Sequence, residues 1–247
     1  MQVISQNSGR TVVLENDQII LKYGPAVLLR EAEVLKFIGE KTTIPVPKVI
    51  ESYQKDDVGY IRMERIRGES LSKVIDKLSM EELSSVYQQL SSYLKQLKAI
   101  KVNKLGSFQS VNLDGEVQVD PYDNEFFYDA PPEILSDPKD YHDYWLERYR
   151  TIADTYHPKI FQKLLSSINE KPRFCHSDFS PRNIMVDHGK VTGILDWEFA
   201  GVYPESWESI RMFFPGESDR WNLSLSRMEQ EYPIVFLVYD RILGAFF

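Results

Sequence analysis

Three observations predict an α+β fold. Over residues 1–64, short apolar runs separated by turn residues enclose a single amphipathic helix, the signature of a small antiparallel sheet with one helix. After about residue 66 helical periodicity takes over, so the remainder is expected to be mainly helical, and a chain of this length forms either one large domain or two small lobes. With 43% hydrophobic and 27% charged residues the 247-residue chain is globular in composition, and such a length buries roughly 75% of the unfolded surface.

The elements follow in order. "TVVLENDQIILKYG" reads as two strands around Asn16-Asp17, a hairpin signal. In "AVLLREAEVLKFIGE", Leu28, Ala32, Leu35 and Ile38 recur at helical spacing, Arg30, Glu33, Lys36 and Glu40 line another face, and Gly39 helps close the helix. "PVPKVIESYQ" and "GYIRMERI" are two further strands, with Pro45 and Pro47 forcing an extended entry. Residues 1–64 therefore read β-β-α-β-β.

Gly68 marks a break, and Ser79 with Glu82 forms a capping box before Leu83, Val86, Leu90, Leu94 and Leu97, a long amphipathic helix. Residues 103–140 are turn-rich and aromatic, with Asp114-Gly115 as a hairpin tip, and helical patterns resume from Tyr141 to about Asn169. Two apolar runs, "NIMV" and "KVTGIL", are joined by Asp187-His188-Gly189-Lys190. "PIVFLVYDRILGAFF" is interrupted by Asp240 and Arg241 and falls short of the ~20 residues of a membrane helix, so it reads as a core helix.

Charge excludes further classes. Against 37 Asp and Glu there are 29 Lys and Arg, a net −8, which disfavours a nucleic-acid-binding surface. Between Val111 and Asp143 ten acids face one base, Lys139, so this segment carries −9. The lone Cys175 offers no disulfide framework and no secretory signal opens the chain, so a reducing, cytoplasmic setting is expected, with no membrane partner.

The segment "CHSDFSPRNIMVDHGKVTGILDWEF" concentrates polar chemistry within strand and turn. Zinc binding would need more Cys and His ligands, and serine hydrolysis would need a G-x-S-x-G elbow, so neither fits. Phosphoryl transfer fits better, because it requires a carboxylate near the attacking hydroxyl and oxygen ligands for Mg²⁺. His176-x-Asp178-x-x-x-x-Asn183 supplies a base and an amide from one loop, and a hairpin returns the chain to Asp196.

This segment resembles the catalytic and metal-binding loops of the aminoglycoside phosphotransferase family, which has a bilobal protein-kinase-like fold and includes relatives of choline kinase; the resemblance implies residues 1–66 as the N-terminal nucleotide-binding lobe with its hinge and residues 67–247 as the larger, mainly helical C-terminal catalytic and acceptor-binding lobe. "HSDFSPRN" matches H-x-D-x-x-x-x-N, and "ILDWE" stands in the place of the kinase D-F-G. "TIPVPKV", "IRMERIRGESL" and "DWEFAGVYPESWE" resemble stretches of fungal members, so the likeness covers nearly the whole chain.

The resemblance implies an ATP-dependent, or GTP-dependent, transfer of the γ-phosphoryl group to a small-molecule hydroxyl. Asp178 would orient or accept the hydroxyl proton, and His176 would brace the loop rather than move protons. Asn183 and Asp196 would hold Mg²⁺, and Lys22 paired with a helix glutamate would position the phosphates. Helical spacing selects Glu31 for that pair, since it follows Leu28 by three and precedes Leu35 by four, whereas Glu33 sits with Arg30 and Lys36 on the solvated side. Met63 would lie behind the adenine, and the Glu64 C=O and Ile66 N–H of the hinge would bind the base.

Departures narrow the class. The chain has neither a P-loop motif nor G-x-G-x-x-G, leaving "QNSGRT" around Gly9 to cover phosphates. Ser177 and Ser180 replace the protein-kinase Arg and Lys, and no A-P-E follows Asp196, which favours a small-molecule kinase over a protein kinase. The non-enzyme alternative is a pseudokinase that binds nucleotide without turnover. Cys175 reads as a core residue, His188 as an exposed turn residue, and Phe126, Phe127, Tyr128, Tyr144 and Trp145 as packing groups. The acidic segment, together with Glu198, Glu205 and Glu208, implies an amine-bearing acceptor bound through ion pairs and cation–π contacts.

Overall fold

The computed structural model describes residues 1–7, 9–122, 131–153, 156–213, 218–223 and 232–245. Ser8 and, within the acidic and aromatic segment, Asp123, Glu125, Phe126, Phe127, Tyr128 and Asp129 lie outside them. The chain forms two compact units: Met1–Tyr93 with Ser180–Phe199, and Leu94–Phe179 with Ala200–Phe247.

The first unit contains β1 (Gln2–Asn7), β2 (Arg10–Asn16), β3 (Ile19–Gly24), α1 (Arg30–Lys41), β4 (Val49–Lys55) and β5 (Val58–Glu64). The strands form one antiparallel sheet in the order β1-β2-β3-β5-β4. The β2–β3 turn is set by Asn16, whose Oδ1 accepts the Gln18 N–H at 2.9 Å. β1 was not anticipated: it is an edge strand whose Val3 and Ile4 are exposed, so it carries no buried alternation to detect. α1 runs through Gly39 and ends at Thr42, whose N–H and Oγ1 both donate to the Ile38 carbonyl, at 3.0 and 2.7 Å. The expectation that Gly39 closes the helix is thereby corrected. A hydroxyl that satisfies a terminal carbonyl does the stopping.

The same unit holds β6 (Glu69–Ser70), α2 (Leu71–Val74), most of α3 (Met80–Lys98), β10 (Ile184–Asp187) and β11 (Lys190–Ile194). The capping box is present: Glu82 N–H donates to Ser79 Oγ at 3.1 Å, and Ser79 N–H donates to Glu82 Oε2 at 2.9 Å. His188 and Gly189 adopt φ of 46° and 72°, the double left-handed turn that matches the twist of a tight hairpin, so β10 and β11 pair with Asp187 opposite Lys190.

The first unit takes in these later segments for a packing reason. β6 pairs with β10, and Gln89 of α3 bonds both the Gly189 carbonyl and the Val191 N–H at 3.0 Å, so these later segments pack with the first sheet's unit.

The second unit holds β7 (Gly106–Val111), β8 (Val117–Asp120), α4 (Pro138–Arg150), α5 (Tyr156–Leu165), β9 (Pro172–Cys175), β12 (Gly201–Pro204), α6 (Trp207–Met212), α7 (Asp219–Asn222) and α8 (Pro233–Leu243). Helices predominate, yet β8-β7-β12-β9 form a four-stranded sheet. The hairpin at Asp114-Gly115 is as expected, whereas β9 and β12 are four-residue strands too short to show a pattern. Tyr141, Trp145, Cys175, Tyr203, Trp207 and Tyr239 lie in the core, where Tyr203 and Trp207 stack at 5.6 Å. Cys175 and Trp145 are therefore packing groups, as read. Among the described residues no helix is long and apolar enough to cross a membrane.

Candidate active site

The first unit gathers an ion cluster. Lys22 lies on β3 with its side chain buried, and its Nζ donates to Glu31 Oε2 in the first turn of α1 at 2.7 Å. The spacing argument for Glu31 holds: Glu31 is buried, while Glu33 is exposed and pairs with Lys36 at 2.7 Å. Nζ also donates to Asp196 Oδ1 at 2.8 Å and to Glu198 Oε2 at 3.3 Å.

That environment acts on both partners. Burial alone would lower the Lys22 pKa, but the attraction of Glu31, Asp196 and Glu198 outweighs it and holds the ammonium charged well above its ordinary range. Burial pushes the Glu31 carboxyl up to about 7 against the opposing pull of Lys22, since it has left water and has two other carboxylates beside it.

Asp196 follows β11 in a left-handed conformation, φ 64°, a backbone cost concentrated at functional turns. Asn183 ends a 3₁₀ turn, Pro181–Asn183, and its carbonyl accepts the Leu195 N–H at 2.8 Å, so the hairpin register brings its backbone next to the residue before Asp196. The amide and carboxylate oxygens of these two residues are hard donors of the kind Mg²⁺ takes. One carboxylate oxygen each from Glu31, Asp196 and Glu198 also lie within 4.8 Å of one another.

Met63 and Glu64 end β5, and Arg65 and Ile66 follow it. Met63 is buried, Glu64 N–H donates to the Lys48 carbonyl at 2.9 Å and Arg65 N–H to Gln18 at 2.8 Å. The Ile66 side chain occupies the space above Gly193, where an added Cβ would lie 2.7 Å from it, so glycine is required there by close approach.

The second unit holds His176, Ser177 and Asp178, all buried. Glu208 of α6 accepts the His176 N–H at 2.5 Å and the Ser177 N–H at 3.0 Å. Trp207 Nε1 donates to Ser177 Oγ at 2.8 Å and Arg211 Nε to the Ser177 carbonyl at 3.1 Å, which fixes Ser177 in its left-handed φ of 70°. His176 Nδ1 accepts the Asp178 N–H at 3.1 Å, so that nitrogen carries no proton and the ring acts as a brace of the loop.

Three acids of the sequence reading have partners in the structure. Glu198, Glu205 and Glu208 were expected to add to an acceptor site; Glu198 binds Lys22 and Arg10, Glu205 pairs with Arg173 at 3.2 Å, and Glu208 caps the loop N–H groups. Each is already committed to a partner within its own unit. Asp137 likewise caps α4 through the Lys139 N–H, and Asp143 pairs with Lys139. The signal available for Glu198 was its place two residues after Asp196 around the fully buried Trp197; Arg10 offered none.

A buried lysine–glutamate pair between strand and helix with a carboxylate on the same ammonium, and in sequence an H-x-D-x-x-x-x-N motif, are the groups that phosphoryl transfer calls for. The chain belongs to the phosphotransferase enzyme family, whose sequence profile matches residues 2–234. It is 24% identical over 196 residues to a hygromycin-B 4-O-kinase of Escherichia coli, covering 76% of this chain and 51% of that protein. It is 27% identical over 203 residues to an aminoglycoside 3'-phosphotransferase of Niallia circulans, covering 74% of this chain and 63% of that one. The chain thus aligns over about half to five-eighths of these relatives. Aminoglycoside phosphotransferase APH(4)-Ia shares the fold with a TM-score of 0.68 at 15% identity, over 99% of this chain and 83% of that one. ADP-bound APH(2'')-Ib does so with 0.66 at 17%, over 98% and 80%.

Proposed function

We propose that this protein transfers the γ-phosphoryl group of ATP, or of GTP, to a hydroxyl group of a small molecule. The observation that carries the reading is the buried Lys22–Glu31 ion pair at 2.7 Å with Asp196 on the same ammonium, the strand-lysine and helix-glutamate arrangement that positions phosphates in phosphoryl transfer. Lys22, oriented by Glu31, faces the α and β phosphates. Met63, the Glu64 carbonyl and the Ile66 N–H receive the base. Asp178 accepts or orients the acceptor hydroxyl proton, and His176 keeps its loop in register. Asn183 and Asp196 would hold Mg²⁺, which when bound supplies charge neutralisation at the phosphates. The names of the two kinase relatives support a hydroxyl acceptor. The −9 segment between Val111 and Asp143 supports an amine-bearing one.

The test is nucleotide consumption with and without Mg²⁺ against aminoglycosides, amino-alcohols and neutral polyols, with mass spectrometry of the products. A cationic acceptor gaining one phosphate is expected, and Asp178→Asn should cost on the order of 10² or more in turnover. Nucleotide binding with no product from any acceptor would point to the pseudokinase reading, and phosphorylation of neutral polyols alone would remove the acidic segment from the site.

A further inference from the structure

Lys22 is saturated in this structure. An ammonium has three N–H donors, and three carboxylates take them: Glu31 at 2.7 Å, Asp196 at 2.8 Å and Glu198 at 3.3 Å. A phosphate oxygen can reach Lys22 only if one carboxylate gives way. Glu31 is buried with a short contact, and Asp196 is the expected ligand of the metal. Glu198 makes the longest contact, and the same oxygen, Oε2, already accepts Arg10 Nε at 2.9 Å. Arg10 opens β2 beside Gly9, whose carbonyl holds the Ala26 N–H at 3.3 Å, and Arg30 Nη2 reaches the Glu198 backbone carbonyl at 3.4 Å. One glutamate oxygen is therefore contested by two cations from neighbouring strands.

We propose that Glu198 and Arg10 form a positioning pair for nucleotide: Glu198 competes with phosphate for Lys22, and Arg10 draws Glu198 away so that Lys22 becomes available. The inference rests on the reading of Lys22 as the phosphate-binding lysine. It assigns Arg10 an indirect part, acting through Glu198, and Glu198 an inhibitory one. The pair also links the turn at Gly9, which replaces a glycine-rich loop, to the charge on Lys22.

The experiment is ATP binding by calorimetry in Mg²⁺-free buffer with the full chain. It compares wild type with Glu198→Gln, Glu198→Asp, Arg10→Gln and the double variant, with thermal melts to verify folding. Glu198→Gln should tighten binding and Arg10→Gln weaken it, each by about three- to tenfold, the size of coupling between contacting charges. The double variant should match Glu198→Gln, because without the carboxylate there is nothing for Arg10 to draw off. Glu198→Asp, with a shorter reach, should lie between wild type and Glu198→Gln and serves if the glutamine variant folds poorly. In turnover the changes should fall on KM for nucleotide rather than on kcat. A double variant as weak as Arg10→Gln would mean that Arg10 touches phosphate directly, and Glu198 variants within twofold of wild type would mean that Glu198 does not compete; either result overturns the proposal. Wild type that binds no nucleotide overturns the phosphotransferase reading and this inference with it.

Discussion

The Lys22 cluster and the His176–Asp178 loop use opposite means to hold the side chains to which a role is proposed. In the first, three carboxylates share two side-chain cations, and the contacts are side chain to side chain. In the second, Glu208, Trp207 and Arg211 grip the backbone and hydroxyl of Ser177, and the Asp178 N–H is fixed by His176. A charge cluster can exchange partners when a ligand brings its own charge. A backbone clamp cannot rearrange without leaving buried donors unpaired. The difference suits the proposed roles, since phosphate must displace something from Lys22 whereas Asp178 needs only a constant position.

Breaking the clamp should therefore cost most. Glu208→Ala leaves the His176 and Ser177 N–H groups buried without their acceptor and should destabilise the protein by about 2–5 kcal/mol, read from denaturant midpoints. Trp207→Phe removes one donor to Ser177 Oγ while keeping most of the ring, and a loss of about 1 kcal/mol is expected in the same assay. A clamp variant that melts like wild type would erase the contrast between the two regions.

The charge cluster should answer to pH instead. Burial, opposed by Lys22, pushes Glu31 from 4.5 up to about 7. A carboxyl whose folded pKa is raised binds protons more readily folded than unfolded, so its contribution is fully present below about 4.5 and is lost as pH rises through about 7. Melting temperature should fall over that window in wild type, and Glu31→Gln should flatten the fall; parallel curves would show that Glu31 is ionised throughout. The smallest effect is expected at the solvated Glu33–Lys36 pair, where Lys36→Ala should change stability by less than about 0.5 kcal/mol.

Local pattern reached far into this molecule. The Ser79–Glu82 box, the Asp187–Lys190 turn and the inward position of Glu31 each depend on residues within a few positions of one another, and each is present. β1 escaped because an exposed edge strand needs no apolar alternation, and β9 and β12 escaped because four residues hold too little pattern.

What the sequence determined by itself was the run β2, β3, α1, β4 and β5, the start of α3, the β10–β11 turn and the chemical identity of the residues in the H-x-D-x-x-x-x-N and D-W-E segments, because hydrophobic period, capping and motif spacing are short-range properties. Tertiary structure alone decided which charge meets which. Arg10 reaches Glu198 across 188 positions and Glu208 reaches His176 across 32, and contacts of that range depend on how sheets and helices pack, which no local spacing encodes.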